Sequence, residues 1–239
     1  MSHPERIVPD SEPAAGVVAA HLKRYDFARP LCAGRRVLDA ACGVGYGSAF
    51  LAEEAASVVG VDVDAGSVEY ARGRYASERC TFEVMDVERL AFADGTFEVA
   101  CSFETIEHVG DPERALAELA RVLEPGGTLV VSTPHVAVTT HSPANPFHQV
   151  EFCREDFERL LRQSFASVEI YGQRRVQSGA HRLAQRLDVL GLRRRLAVLR
   201  RGSQLLGTTA TEDMSLDDLV IDSAELARAT ELVAVCRRP

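Results

Sequence analysis

Residues 37–48, VLDAACGVGYGS, join a short apolar strand to a glycine-rich turn, and the apolar pattern of a helix follows. Gly43 and Gly45 allow the backbone to approach a ligand closely. The N-terminus of the following helix adds free N–H groups and a partial positive charge. The stretch therefore predicts a ligand-binding turn at the end of a buried strand, with an acid, Asp39, beside it.

Strand and helix patterns alternate along most of the chain. The predicted helices cover residues 48–56, 67–75, 111–123 and 154–163, and the predicted strands cover residues 36–40, 56–61, 81–85, 97–103, 128–133, 167–171 and 231–236. Strands that alternate with helices pair in parallel through right-handed crossovers. The pattern therefore predicts a layered α/β fold.

Two carboxylates indicate what the turn binds. Asp39 lies at the end of the first predicted strand, where it would repel a pyrophosphate and attract an ammonium group. Asp62 lies at the end of the second strand, 23 residues later, and such an acid can accept hydrogen bonds from both ribose hydroxyls. Ser48 occupies the third glycine position of the dinucleotide fingerprint. These features favour a ligand with an amino acid at one end and an adenosine at the other, over a nicotinamide dinucleotide.

The chain resembles the class I S-adenosylmethionine-dependent methyltransferases. Residues 37–47 (VLDAACGVGYG) resemble their first motif, 58–72 (VVGVDVDAGSVEYAR) the second, 84–109 the third and fourth, and 123–134 (LEPGGTLVVSTP) the fifth. The resemblance covers residues 20–172 and the last strand. It implies a Rossmann-like, doubly wound sheet of seven strands, mostly parallel with the last strand antiparallel, and a helical insert before that strand.

The resemblance also implies an enzyme that uses S-adenosyl-L-methionine and releases S-adenosyl-L-homocysteine. Asp39 and the glycine turn would hold the methionine part, Asp62 the ribose and Asp86 the adenine amino group. The complete set of expected cofactor-binding residues is Tyr25, Asp39, Gly43, Gly45, Tyr46, Asp62, Val63, Met85, Asp86, Val87, Phe103 and Glu104. The alternatives are a helix N-cap for Asp86, ordinary packing for Tyr46, and, for the whole chain, a dehydrogenase or a binding module that keeps the fold without activity.

Methyl transfer to a hydroxyl needs a group that removes its proton, and histidine titrates in the useful range. We expect His148 or His108 to be this base, because His108 follows the predicted fourth strand and His148 follows the fifth. Residues 145–151, NPFHQVE, resemble the NPFHxxE segment of methyltransferases found beside glycosyltransferases and in secondary metabolism. The alternative is that His148 bonds Glu151 and orders the loop.

A second resemblance concerns Glu104, Glu107 and His108. They are similar to the ExxEH segment of ubiquinone-pathway O-methyltransferases, in which carboxylates and a histidine can hold a divalent metal. Many metal-free relatives share this segment, so no metal is predicted.

The charge of the chain is unevenly distributed. The 239 residues carry a net charge of −8, but residues 173–203 contain nine arginines and one acid. This segment is +8 and the rest of the chain −16, which disfavours a uniformly basic nucleic-acid binder. We expect one methyltransferase domain over residues 1–239, with an N-terminal helical cap (1–35) and an Arg-rich helical insert or lid (173–228). Within the insert, residues 208–222 are polar and acidic and are predicted as a linker or lid.

The Arg-rich insert has three possible roles: packing on the core or on a second subunit in a homodimer, attracting an anionic substrate, or contacting a membrane surface. No apolar run approaches the roughly 20 residues of a membrane helix, and the first residues lack a signal-peptide core. We therefore expect a cytoplasmic enzyme without nucleic-acid or integral membrane partners. The expected acceptor is a small molecule, a hydroxyl of a sugar or secondary metabolite. A phenol or quinone precursor is the runner-up, and N- or C-methylation stays open.

Overall fold

The structure is a computed structural model and describes residues 15–176 and 216–239. The helical pair predicted within the Arg-rich insert lies outside the described residues, as do the first 14 residues of the N-terminal cap. The helices are α1 (Ala15–Cys32), α2 (Tyr46–Ala52), α3 (Ala65–Tyr75), α4 (Pro112–Val122) and α5 (Arg154–Leu161). The strands are β1 (Arg36–Ala40), β2 (Ser57–Asp62), β3 (Cys80–Val84), β4 (Phe97–Phe103), β5 (Leu123–Pro134), β6 (Ser167–Arg175), β7 (Leu219–Asp222) and β8 (Glu231–Arg237).

The strands form one mixed sheet in the order β3-β2-β1-β4-β5-β8-β6-β7. Neighbours from β3 to β5 pair in parallel, and β8 runs antiparallel to both β5 and β6. This confirms the predicted Rossmann-like α/β architecture with an antiparallel last strand. The strand order reverses between β1 and β4, and in such sheets ligands bind in the crevice beyond the carboxyl ends of the strands at this point.

The sheet has eight strands in the described residues, one more than the seven predicted. The additional strand is β7, which pairs antiparallel with β6 at the edge of the sheet. Its four residues, LVID, lie in the segment predicted as an acidic linker or lid, and a run so short gives almost no strand signal without its partner. The described parts of the predicted insert therefore contain the end of β6, strand β7 and two short 3-10 helices, Leu216–Asp218 and Leu226–Arg228.

Both faces of the sheet are covered by helices. Val37 and Leu38 in β1 are each fully buried, and they point into separate apolar clusters on opposite faces. One cluster includes Leu119 of α4, and the other includes Leu51 of α2. Burial on both faces explains why the parallel strands are continuous apolar runs and do not alternate.

Two of the helices that follow strands begin on an aspartate cap. Asp64 accepts a hydrogen bond from the Ser67 N–H at 2.7 Å at the start of α3. Asp111 accepts one from the Arg114 N–H at 3.0 Å at the start of α4, where Pro112 occupies the first turn. These caps fix the helix N-termini near the carboxyl edge of the sheet. None of the described helices is both long and apolar enough to cross a membrane.

Candidate active site

A cleft of about 620 Å³ lies at the carboxyl ends of β1 to β4. Its walls are α1, the turn between β1 and α2, the segments after β2, β3 and β4, and three residues of a later loop, Pro146, Phe147 and Gln149. The volume is in the range of cofactor and small-molecule sites. All the predicted cofactor-binding residues line this cleft except Asp39 and Gly45.

The glycine turn forms the floor of the cleft. Gly43 has a φ of +55°, and its N–H donates to Asp62 Oδ2 at 2.9 Å. Gly45 has a φ of +85°, and a Cβ atom there would lie 2.6 Å from the Cβ of Ala71 in α3. Gly45 therefore supports the turn from behind, against α3, which explains why it does not line the cleft.

Asp62 and Asp86 are held in place by backbone N–H groups. Asp62 Oδ1 accepts from the Asp64 N–H at 2.9 Å, opposite the bond that Oδ2 makes. Asp86 Oδ1 accepts from the Glu88 N–H at 2.9 Å and so caps a short turn, not the α-helix considered as its alternative role. Each carboxylate lines the cleft and keeps lone pairs that a ligand can use.

Asp39 lies beneath the cleft floor and not in its lining. The residue is fully buried, and its carboxylate oxygens accept from the Tyr25 hydroxyl at 3.2 Å each and from the Ser48 hydroxyl at 2.6 Å. Burial raises the pKa of Asp39 to about 7. The predicted contact of Asp39 with the methionine part of the ligand stays a prediction. In this arrangement the carboxylate is bonded to the Tyr25 hydroxyl, and Tyr25, not Asp39, lines the cleft.

Tyr25 forms a wall of the cleft together with Tyr46 and Phe103. Its ring meets the Phe103 ring edge-on at 4.9 Å between centroids. A Cβ atom on Gly47 would lie 2.0 Å from Tyr25 Cζ, so only glycine fits beneath this ring. Tyr46 also lines the cleft, so packing against the core is not its only available role.

Glu104 is clamped by Ser132, a residue that the sequence analysis did not single out. The Ser132 hydroxyl donates to Glu104 Oε1 at 2.7 Å and accepts from the Glu104 N–H at 3.1 Å. Glu104 has a φ of +51°, an unfavourable backbone conformation for a residue with a side chain. The pairing of β4 with β5 brings Phe103 opposite Ser132, and this register is a property of the folded sheet that the local sequence around Ser132 does not indicate.

His148 is part of a closed hydrogen-bond network and does not line the cleft. Its Nδ1 lies 2.7 Å from Glu151 Oε1, and its Nε2 lies 2.9 Å from Asn145 Nδ2. The Asn145 amide oxygen accepts from the Phe147 N–H, so the amide nitrogen donates to Nε2 and the His148 Nδ1–H donates to Glu151. This placement supports the alternative role, ordering of the loop, and disfavours His148 as the base.

His108 lines the cleft. Its Nδ1 is 3.0 Å from the Phe147 carbonyl oxygen, and because a carbonyl only accepts, Nδ1 carries a proton. His21 of α1, missed by the sequence analysis, lines the cleft as well. Burial and the nearby Arg24 hold the pKa of His21 well below its usual range, which makes it a weaker base than an ordinary histidine.

Glu107, His108 and His148 each offer one metal-ligand atom within 4.8 Å of the others. Both ring nitrogens of His148 are already hydrogen-bonded, and Glu107 Oε2 accepts from the Thr133 hydroxyl at 3.1 Å. Burial and the neighbouring Glu104 raise the pKa of the Glu107 carboxyl well above its usual range. A cation at this cluster would have to break the loop network.

Comparison with known proteins shows what this chain is similar to. A family model described as a methyltransferase domain matches residues 38–131. A probable S-adenosylmethionine-dependent methyltransferase of Mycolicibacterium smegmatis is 37% identical over 141 residues, 58% of this chain and 54% of that protein. The O-methyltransferase cnsE of Penicillium expansum is 32% identical over 171 residues, 65% of this chain and 61% of that protein. The chain thus spans less than two thirds of the length of these relatives.

A solved structure from Thermotoga maritima, an S-adenosylmethionine-dependent methyltransferase described as a possible histamine N-methyltransferase, has the same fold. It superposes with a TM-score of 0.64 at 17% identity, over 94% of this chain and 92% of that one. The motifs, the strand order and the matched family model together show that residues 38–131 belong to a methyltransferase domain of the class I S-adenosylmethionine-dependent type.

Proposed function

We propose that the protein transfers a methyl group from S-adenosylmethionine to a hydroxyl of a small-molecule acceptor, with His108 as the base. One observation carries the proposal: carboxylates at the ends of β2 and β3 line the same cleft as His108, which follows β4. The comparison with cnsE supports oxygen as the methylated atom. A sugar or secondary-metabolite hydroxyl is our preferred acceptor, and a phenol or quinone precursor is the alternative.

The residues of the cleft fit this cofactor. The described residues of its lining include four carboxylates, and no lysine or arginine is among them. Such a lining attracts a cationic ligand. Asp62 would accept from the ribose hydroxyls, Asp86 from the adenine amino group, and Glu104 would face the sulfonium. When bound, the cofactor supplies an electrophilic methyl group on a positively charged sulfur.

The acceptor side of the cleft is polar with some apolar surface. Thr105, His108 and Gln149 offer hydrogen-bonding groups, and Val109 and Phe147 offer apolar contacts. The Phe147 carbonyl fixes the His108 tautomer, so the neutral ring carries its lone pair on Nε2. A hydroxyl held at this nitrogen would lose its proton to His108 as its oxygen takes the methyl group.

The test is methyl transfer from isotopically labelled S-adenosylmethionine to a panel of glycosides, phenols and amines, with the wild type and His108→Gln. We expect labelled ethers, and a loss of about 10²–10⁴-fold in kcat for H108Q with an unchanged Kd for the cofactor. The matched control is His141→Gln, because His141 is exposed and does not line the cleft. Labelled amines only, or a wild-type rate for H108Q, would contradict the proposal.

A further inference from the structure

We infer that Asp39 is a positioning residue that acts on the cofactor through Tyr25 and does not contact the cofactor's ammonium group itself. The inference rests on the cofactor site in the proposed function, but it does not depend on the acceptor. It concerns the first acid of the glycine-rich motif, the residue that sequence reasoning places directly on the ligand.

Asp39 has no path to the cleft in this structure. Its side chain is completely buried, and it is absent from the lining formed by the neighbouring Ala41, Cys42 and Gly43. Both carboxylate oxygens are occupied, by the Tyr25 hydroxyl and by the buried Ser48 hydroxyl. A ligand that bonded to Asp39 would have to compete with these two hydroxyls.

Tyr25 connects the Asp39 carboxylate to the cleft. The phenol lines the cleft, and its hydroxyl donates to Asp39 across 14 residues of sequence. Phe103 at 4.9 Å and the bare backbone of Gly47 hold the ring from two sides. The ring contacts fix the plane of the phenol, and the bond to Asp39 fixes how deep the hydroxyl lies.

The pair is interdependent because both partners are buried. Removal of the Asp39 charge weakens the acceptor of the Tyr25 hydroxyl, and a buried donor that loses its partner shifts or opens its site. Among the described charged groups, Asp62 acts on Asp39, and its negative charge raises the pKa of the Asp39 carboxyl further. Tyr25 and Ser48 therefore supply all the described hydrogen bonds that hold the carboxylate.

A double-mutant cycle on cofactor binding tests the inference. Asp39→Asn, Tyr25→Phe and the double variant are compared by calorimetry with S-adenosylmethionine and S-adenosylhomocysteine, without any acceptor. We expect each single variant to weaken Kd by about tenfold, and the double variant to match the singles within about twofold. Thermal unfolding of each variant separates binding from folding, since a purely structural role would lower the melting temperature and leave Kd of the folded protein unchanged.

Two further variants make the result decisive. Ser48→Ala changes the other partner of Asp39 and should weaken Kd in the wild-type but not in the Y25F background. Asp62→Asn is the matched control, because Asp62 lines the cleft, and its effect should multiply with that of Y25F. If D39N weakens binding by the same factor with and without Tyr25, Asp39 acts on the cofactor directly and the inference is wrong. Because no acceptor is present, this outcome is independent of which atom the enzyme methylates.

Discussion

The buried carboxylate of Asp39 lowers the stability of the folded protein when it is ionised. A carboxylate buried without a cationic partner is costly, because the charged form loses its hydration. The pKa of Asp39 is raised from 3.8 to about 7, and burial is the largest cause. The folded state therefore binds the proton more tightly than the unfolded state does. This residue lowers the free energy of unfolding progressively as the pH rises from about 4 to about 7, and the loss is complete above that range.

The pH dependence of stability predicts how Asp39→Asn behaves. The amide cannot ionise, so the variant escapes the growing cost. We expect the free energy of unfolding of D39N, relative to the wild type, to increase by about 1–3 kcal/mol between pH 5 and pH 8. Urea unfolding at several pH values measures this difference. A difference that is constant with pH would show that Asp39 does not titrate in this range. D39N should thus gain stability relative to the wild type as the pH rises, but bind the cofactor less tightly, as expected above.

At the scale of elements, the site depends on how β4 and β5 pair. Phe103 lies opposite Ser132 in the parallel register, and this brings the Ser132 hydroxyl to the backbone and carboxylate of Glu104. Ser132 is fully buried and does not line the cleft. A strand at the centre of the sheet thus fixes the side chain that would face the sulfonium.

Ser132→Ala should therefore act on the cofactor and not on the acceptor. The variant loses the bond to Glu104 Oε1, so the carboxylate gains rotational freedom. We expect Kd for S-adenosylmethionine to rise by about tenfold, in proportion to a lost charge-assisted hydrogen bond. The control is Thr128→Ser, four residues before Ser132 in the same strand. Equal effects of both variants on binding would mean that the sheet, and not the clamp on Glu104, is responsible.

Elements that the local sequence defines can be predicted, and elements that depend on pairing or packing with distant residues cannot. The bounds of β1 and β4 are predicted to the residue, because each is a buried run that turn residues limit. Strand β7 is missed because only its pairing with β6 makes it a strand. In the same way the motif places Asp62 and Asp86 at strand ends, where they are found. The burial of Asp39 depends on the packing of α1 across the glycine turn, which local patterns do not encode.

The negative charge of the molecule is also found in the lining of the cleft. The chain has a net charge of −8, and the described cleft lining contains Asp62, Asp86, Glu88 and Glu104. A cleft with low-dielectric walls concentrates the field of such groups. The substrate S-adenosylmethionine carries a sulfonium charge that the product S-adenosylhomocysteine has lost. The same field therefore favours the substrate and eases the departure of the product.

The preference for substrate over product should depend on salt and on Glu104. We expect the ratio of the Kd of S-adenosylhomocysteine to that of S-adenosylmethionine to fall as ionic strength rises from about 0.05 M to about 0.5 M, since screening weakens only the charge-dependent part. Glu104→Gln should lower this ratio by about three- to tenfold at low salt. Met85→Ala is the control, because Met85 lines the same cleft without a charge. Both molecules carry the same adenine and should lose affinity together in this variant. A ratio that neither salt nor E104Q changes would mean that shape, and not the field of the cleft, separates substrate from product.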